Sequence, residues 1–146
     1  MLIAPFVPLC ASRGKTEDKN QNMKNPLREE VLAPYFCSES VGGAQSFKGV
    51  TLDALEKLIS EHLVDMGTWN SCEGVAKLFL PFLRRNPGFT AHGYIISWER
   101  VDARVAIEGI EKEGRLSKTE LIDFANTFWG ADEVEIRTNY ARCWYD

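Results

Sequence analysis

The triplet Asn86-Pro87-Gly88 cuts the most apolar part of the chain in two. Proline cannot continue a helix, and glycine after it favours a turn. Ahead of the triplet, VAKLFLPFL at 75–83 is apolar nearly all round. A helix with that pattern lies at the centre of a fold rather than on its surface. After the triplet comes TAHGYIIS, apolar on both faces and short enough for a buried strand. A central helix followed at once by a central strand restricts the fold to the classes that mix helices with a sheet.

The flanking segments supply the rest. Thr51 caps LDALEKLISEHL, with Asp53 in its first turn. Leu55, Leu58, Ile59 and His62 are expected on one face of this helix, at residues 51–63. A turn at residues 64–70 leads into the central helix. Asn70 or Ser71 caps it, and Glu73 completes a capping box with Asn70. Pro81 implies a kink or a restart.

After the strand at 90–98, ARVAIEGIE at 103–111 alternates like a half-buried strand. Gly109 shifts its phase before Ile110, which predicts a bulge. Ser117 and Glu120 form a second capping box and open a helix to about Trp129. Its expected buried stripe is Leu121, Ile122, Ala125, Phe128 and Trp129. The terminal stretch from Glu133 onward reads as one strand. Val134, Ile136, Thr138 and Tyr140 share a face; Glu135, Arg137 and Asn139 take the other.

Upstream, PLREEVLA at 26–33 reads as a short helix that Asn25 caps and Pro34 ends. The Ser- and Gly-rich residues 37–50 read as a loop.

The chain has 146 residues, which suits one domain with a real core. The sequence predicts an α+β domain over 25–146 after a flexible tail at 1–24, with residues 1–22 dispensable for folding. The element order from residue 51 is α-α-β-β-α-β. It implies a small, mostly antiparallel sheet of about three strands with helices on one face. The strand at 90–98 is expected at the centre, with its hairpin partner on one side and the last strand on the other.

Composition narrows the function. The net charge is −4 with no basic stripe, so nucleic acid is not an expected partner. The apolar start is too short to span a bilayer and Pro5 and Pro8 interrupt it, so no membrane partner is expected. Cys10, Cys37, Cys72 and Cys143 form no C-x-x-C pair, so neither a zinc site nor a thioredoxin-like motif is expected. We therefore expect reduced cysteines, a cytoplasmic location, no cofactor and no metal.

Chemistry of any kind centres on Cys72, in TWNSCEGVAKLF at 68–79. The amides of a helix start favour a thiolate. A helical Cys72 followed by His92 on a strand resembles the layout of papain-like and cell-wall-peptidase cysteine hydrolases. Chain reach separates that pair. About 18 Å of helix follows Cys72, and the returning strand regains its level near Trp98 rather than His92.

Reach instead gathers Trp69, Cys72, Glu73, Trp98, Glu99 and Arg100 at one end, with His62 nearby. Trp and Arg commonly anchor interfaces. The preferred expectation is a non-enzymatic protein-interaction module, inhibitor-like or homodimeric. It would bind through Trp69, Trp98, Glu99 and Arg100, or pair through the terminal strand. The alternative is a cysteine-dependent acyl-transfer enzyme or a small-molecule-binding domain. Cys72 would be its nucleophile and His62 or Glu99 its base.

Overall fold

The computed structural model describes residues 26–64 and 74–145. Leu27–Leu32 form α1, which a 3-10 turn at Ala33–Tyr35 extends. A hairpin follows, β1 at Phe36–Val41 and β2 at Ala44–Val50. Then come α2 (Leu52–Ser60), a π-helical turn (Gly74–Phe79), α3 (Leu80–Arg85), β3 (Thr90–Ile96) and β4 (Arg104–Glu113). The chain ends with α4 (Lys118–Phe128), β5 (Glu133–Arg137) and β6 (Tyr140–Trp144). The sheet is antiparallel with six strands in the order β1-β2-β3-β4-β6-β5.

The α+β class, a central β3 and its pairing with β4 match the sequence expectation; the strand count does not. Residues 37–50 form a hairpin, not a loop. Gly42 and Gly43 turn it with φ of 59° and 84°, a region that glycine enters at no steric cost. Its few apolar anchors, Phe47 and Val50, are fully buried. The terminal stretch is also a hairpin, since Thr138 and Asn139 form a turn between β5 and β6. Because β2 occupies the free side of β3, the last strand pairs with β4 instead.

Helices cover one face of the sheet. Leu32, Leu58, Phe82 and Phe124 from four helices join Ile95 and Ile107 of the sheet in one core. Phe82 sits at its middle, with ring centroids 4.8 Å from Phe89, 4.9 Å from Phe128 and 5.8 Å from Phe124. Pro81 falls in the first turn of α3, after the π-helical turn. Having no N–H to give to the preceding turn, it restarts the helix.

At the other end of α3, the buried Asn86 amide donates to the Phe82 carbonyl (3.1 Å) and to Asp123 of α4 (2.8 Å). Arg85 grips the same carboxylate at 2.9 Å. The NPG stop thus also locks two helices together.

Two helical expectations need correction. Ser117 and Glu120 do form the capping box of α4, and Leu121 and Phe128 of the expected stripe pack on the core, but Phe124 stands in it where Ile122, Ala125 and Trp129 were expected. Phe124 and Phe128 are buried, Ala125 is exposed, Ile122 is 51% exposed and Trp129 82%. The rings of Phe82 and Phe89 select Phe124, and the helix turns with it.

His62 leaves the apolar stripe because α2 ends at Ser60. It adopts φ 58°. The Leu63 amide donates to the Leu58 carbonyl (2.7 Å) and that of His62 to Ile59 (3.1 Å). This is a Schellman close, in which the residue at His62 must be left-handed and the next one, Leu63, returns to the core.

Candidate functional site

The strand residues that point away from the helices form the polar side of the molecule. On β3, Ala91 and Ile95 enter the core, so His92, Tyr94 and Ile96 face the other way. On β4, Val105 and Ile107 enter the core and so does Ile110. That parity requires an extra residue. His92 pairs with Gly109 while Gly93 pairs with Ile107, so Glu108 is the inserted residue of a bulge. The bulge sends Gly109, Glu111 and Glu113 to the polar side.

His92 is the centre of this side. It is 5% exposed and reaches across β4 to β6, donating Nε2–H to the Cys143 carbonyl at 3.0 Å. Only glycine leaves room for the ring. A Cβ on Gly109 would lie 1.9 Å from the Cys143 oxygen and 2.6 Å from His92 Nε2. Burial, and then the nearby Arg142 guanidinium, lower the His92 pKa to about 4. The imidazole is therefore neutral at physiological pH.

Beside it, Glu111 is 8% exposed. Burial raises its pKa, against the pull of Lys48 and Arg142 and a hydrogen bond from the Tyr140 hydroxyl. The Arg142–Glu111 separation is 3.7 Å.

The cluster predicts an acid response. In the unfolded chain His92 titrates near 6.5, in the folded one near 4. The unfolded state then binds more protons in that window, so stability present above pH 6.5 is lost as pH falls towards 4. The full loss is roughly 3 kcal/mol. Glu111 works the other way, because its raised pKa makes protonation favour the fold. Unfolding free energies measured from pH 7 to 4 are expected to fall in the parent and to fall much less in His92→Gln. Parallel profiles would refute the assignment.

Cys143 lies on the opposite face of β6, fully buried, and burial pushes its thiol up to about 12. His92 contacts its carbonyl, not its sulfur, so the two make no nucleophile–base pair.

The residues singled out from sequence fall in three places. Trp69 and Cys72, with Glu73, lie outside the described residues. His62 is exposed at the close of α2. Trp98, Glu99 and Arg100 form an exposed turn between β3 and β4. The Trp98 amide donates to Glu29 of α1 at 3.1 Å. Arg100 makes a two-pronged contact with Asp102, at 2.9 and 3.0 Å, and donates to the Gly42 carbonyl at 3.3 Å. This turn therefore meets α1 and the β1–β2 turn.

The sequence reading missed the Glu111, Tyr140 and Arg142 group, and also Arg28. Arg28 is wholly buried, and its guanidinium donates to the Ile96 carbonyl at 2.6 Å. The bulge at Gly109 was the available signal for the first group, since it fixes which β4 residues turn outward.

A surface depression open to solvent lies at the β5 end, lined by Asp132, Glu133, Val134, Glu135 and Arg142. Among the described residues no group of three His, Cys, Asp or Glu side chains converges as metal ligands. Nor is any described helix long and apolar enough to cross a membrane.

Beside the depression, all five residues of β5 are exposed, and β5 ends the strand order. Arg137 pairs with Tyr140 across a two-residue turn, so those two exchange backbone hydrogen bonds. Glu135–Arg142 and Glu133–Trp144 follow in phase. Val134 and Ile136 consequently turn their backbone N–H and C=O outward. Their side chains are 40% and 42% exposed.

No family model, no curated protein and no solved structure matches the chain.

Proposed function

We propose that the protein is a non-enzymatic protein-interaction module that engages a partner by strand addition at β5. The observation that carries this reading is the β5 edge, which offers outward backbone groups flanked by two half-exposed aliphatic side chains. Such an edge is a template for an incoming strand. Trp129, 82% exposed, lies four residues before β5 and supplies an aromatic anchor of the kind enriched at interfaces. An open acidic depression suits contact with another protein better than enclosure of a small substrate. We place the module in the cytoplasm, with free thiols at Cys37 and Cys143.

The test is a photo-crosslinking residue at position 135 of the full chain, expressed in cells. A discrete protein adduct is expected. It should vanish when Ile136→Pro removes an outward N–H, and should not form with the probe at Lys118. An edge strand tolerates that proline, because the β5–β6 bonds do not use the Ile136 amide. No adduct at position 135 would overturn the reading.

A further inference from the structure

We propose that the strand added at β5 is β5 of a second copy, in antiparallel register about a two-fold axis at Glu135. The proposal rests on the strand-addition reading and names its occupant.

The backbone sets the register. In each copy Val134 and Ile136 carry the outward hydrogen-bonding groups, two residues apart around Glu135. A two-fold axis through Glu135 places Val134 opposite Ile136 of the other copy, twice. Both pairs are then in the hydrogen-bonding phase, and all five residues of each strand are used. Moving the axis to Ile136 spends part of each strand on the turn residues Thr138 and Asn139. Moving it to Val134 sets Glu133 against Glu135.

The side chains agree with the first register. Val134 and Ile136 lie opposite Cys143 and Ala141, on the helical side, so the four aliphatic side chains meet on one face. On the polar side Glu133 of each copy meets Arg137 of the other, giving two opposite-charge pairs. Both residues are exposed, and the Arg137 guanidinium, paired with Glu135 of its own chain, has further N–H groups to offer Glu133 of the other copy. The two Glu135 carboxylates face each other at the axis. Each has Arg137 of its own chain as an ion-pair partner and Arg142 opposite on β6. The axis stands perpendicular to the sheet, so the two sheets join into one with all helices on the same side. Two-fold pairing also covers the β5 edge of both copies.

Sedimentation equilibrium of the full-length protein, from micromolar to millimolar concentration, tests the proposal. The parent chain is expected to dimerise. Glu133→Arg alone and Arg137→Glu alone should each weaken the dimer about tenfold, since each turns two attractive cross-strand pairs repulsive. Mixing the two variants should restore dimerisation, because every facing pair is then of opposite charge. Glu135→Gln should tighten the dimer by removing the like-charge contact at the axis.

A monomer across the whole range overturns self-pairing. A dimer that the mixed variants fail to restore overturns the register. If the monomeric protein still gives the adduct at position 135 with a different protein, strand addition stands and only its occupant is wrong. Loss of every adduct removes both.

Discussion

Phe82→Ala is expected to cost about 4 kcal/mol of folding stability. Phe82 is fully buried and meets Phe89, Phe124 and Phe128 with centroids under 6 Å away. Those rings belong to the loop before β3 and to α4, two elements that cannot both close on the vacated space. Truncation therefore loses the transfer free energy of the ring and leaves a cavity as well. Phe82→Leu keeps most of the volume and should cost about 1–2 kcal/mol. Urea unfolding monitored by circular dichroism reads both. Trp129→Ala is the control, expected within about 0.5 kcal/mol of the parent because the ring is 82% exposed. A Phe82→Ala loss below about 1 kcal/mol would mean that α3 is not the centre of the core.

Gly109→Ala should cost about 3 kcal/mol, and for a different reason. The added methyl would meet the Cys143 carbonyl oxygen and His92 Nε2 at distances no Cβ tolerates. The oxygen is backbone, held where β6 runs beside β4, so it cannot simply swing aside. The Tyr145 amide also donates to the Glu108 carbonyl at 2.8 Å, which pins the same crossing. In a His92→Ala background only the side-chain part of the clash disappears, so Gly109→Ala should remain destabilising there. Gly130→Ala, with open space around it, should be nearly neutral. A neutral Gly109→Ala would show that the bulge relaxes, and that the packing of His92 against β6 does not depend on it.

These variants probe the candidate surfaces differently. Phe82 supports the helical layer on which α4 and Trp129 sit. Gly109 sets the β4 parity that turns Glu111 to the polar side, next to Arg142 of β6. Neither residue touches the β5 edge, so binding at β5 should survive in whatever fraction of either variant remains folded.

Local signals were legible in the chain wherever a few neighbouring residues decide the outcome. Thr51 accepts from the Ala54 amide at 3.3 Å, as its place before an amphipathic run predicts. Ser117 and Glu120 exchange the two bonds of a capping box. The bulge at Gly109 followed from a break in alternation, and the centrality of β3 from its apolar faces. Such features depend on hydrogen bonds and periodicities spanning three or four residues.

Tertiary structure alone decided the rest. Residues 37–50 carry few apolar side chains, and β2 exists because β3 offers it a ladder and a place for Phe47. The rotation of α4 was set by rings from α3 and β3's approach, not by its own pattern. His62 lost its place on the stripe to a helix close that returns Leu63 to the core. The polar group of His92, Glu111 and Arg142 joins three strands across 51 positions of sequence, from His92 to the Cys143 carbonyl. The sequence thus determined an α+β chain with its caps, breaks and central strand, because those are local free energies. Strand order, the buried faces and the exposed β5 edge came from competition among distant segments for the same core and the same backbone partners. That competition is settled only when all of them are in place.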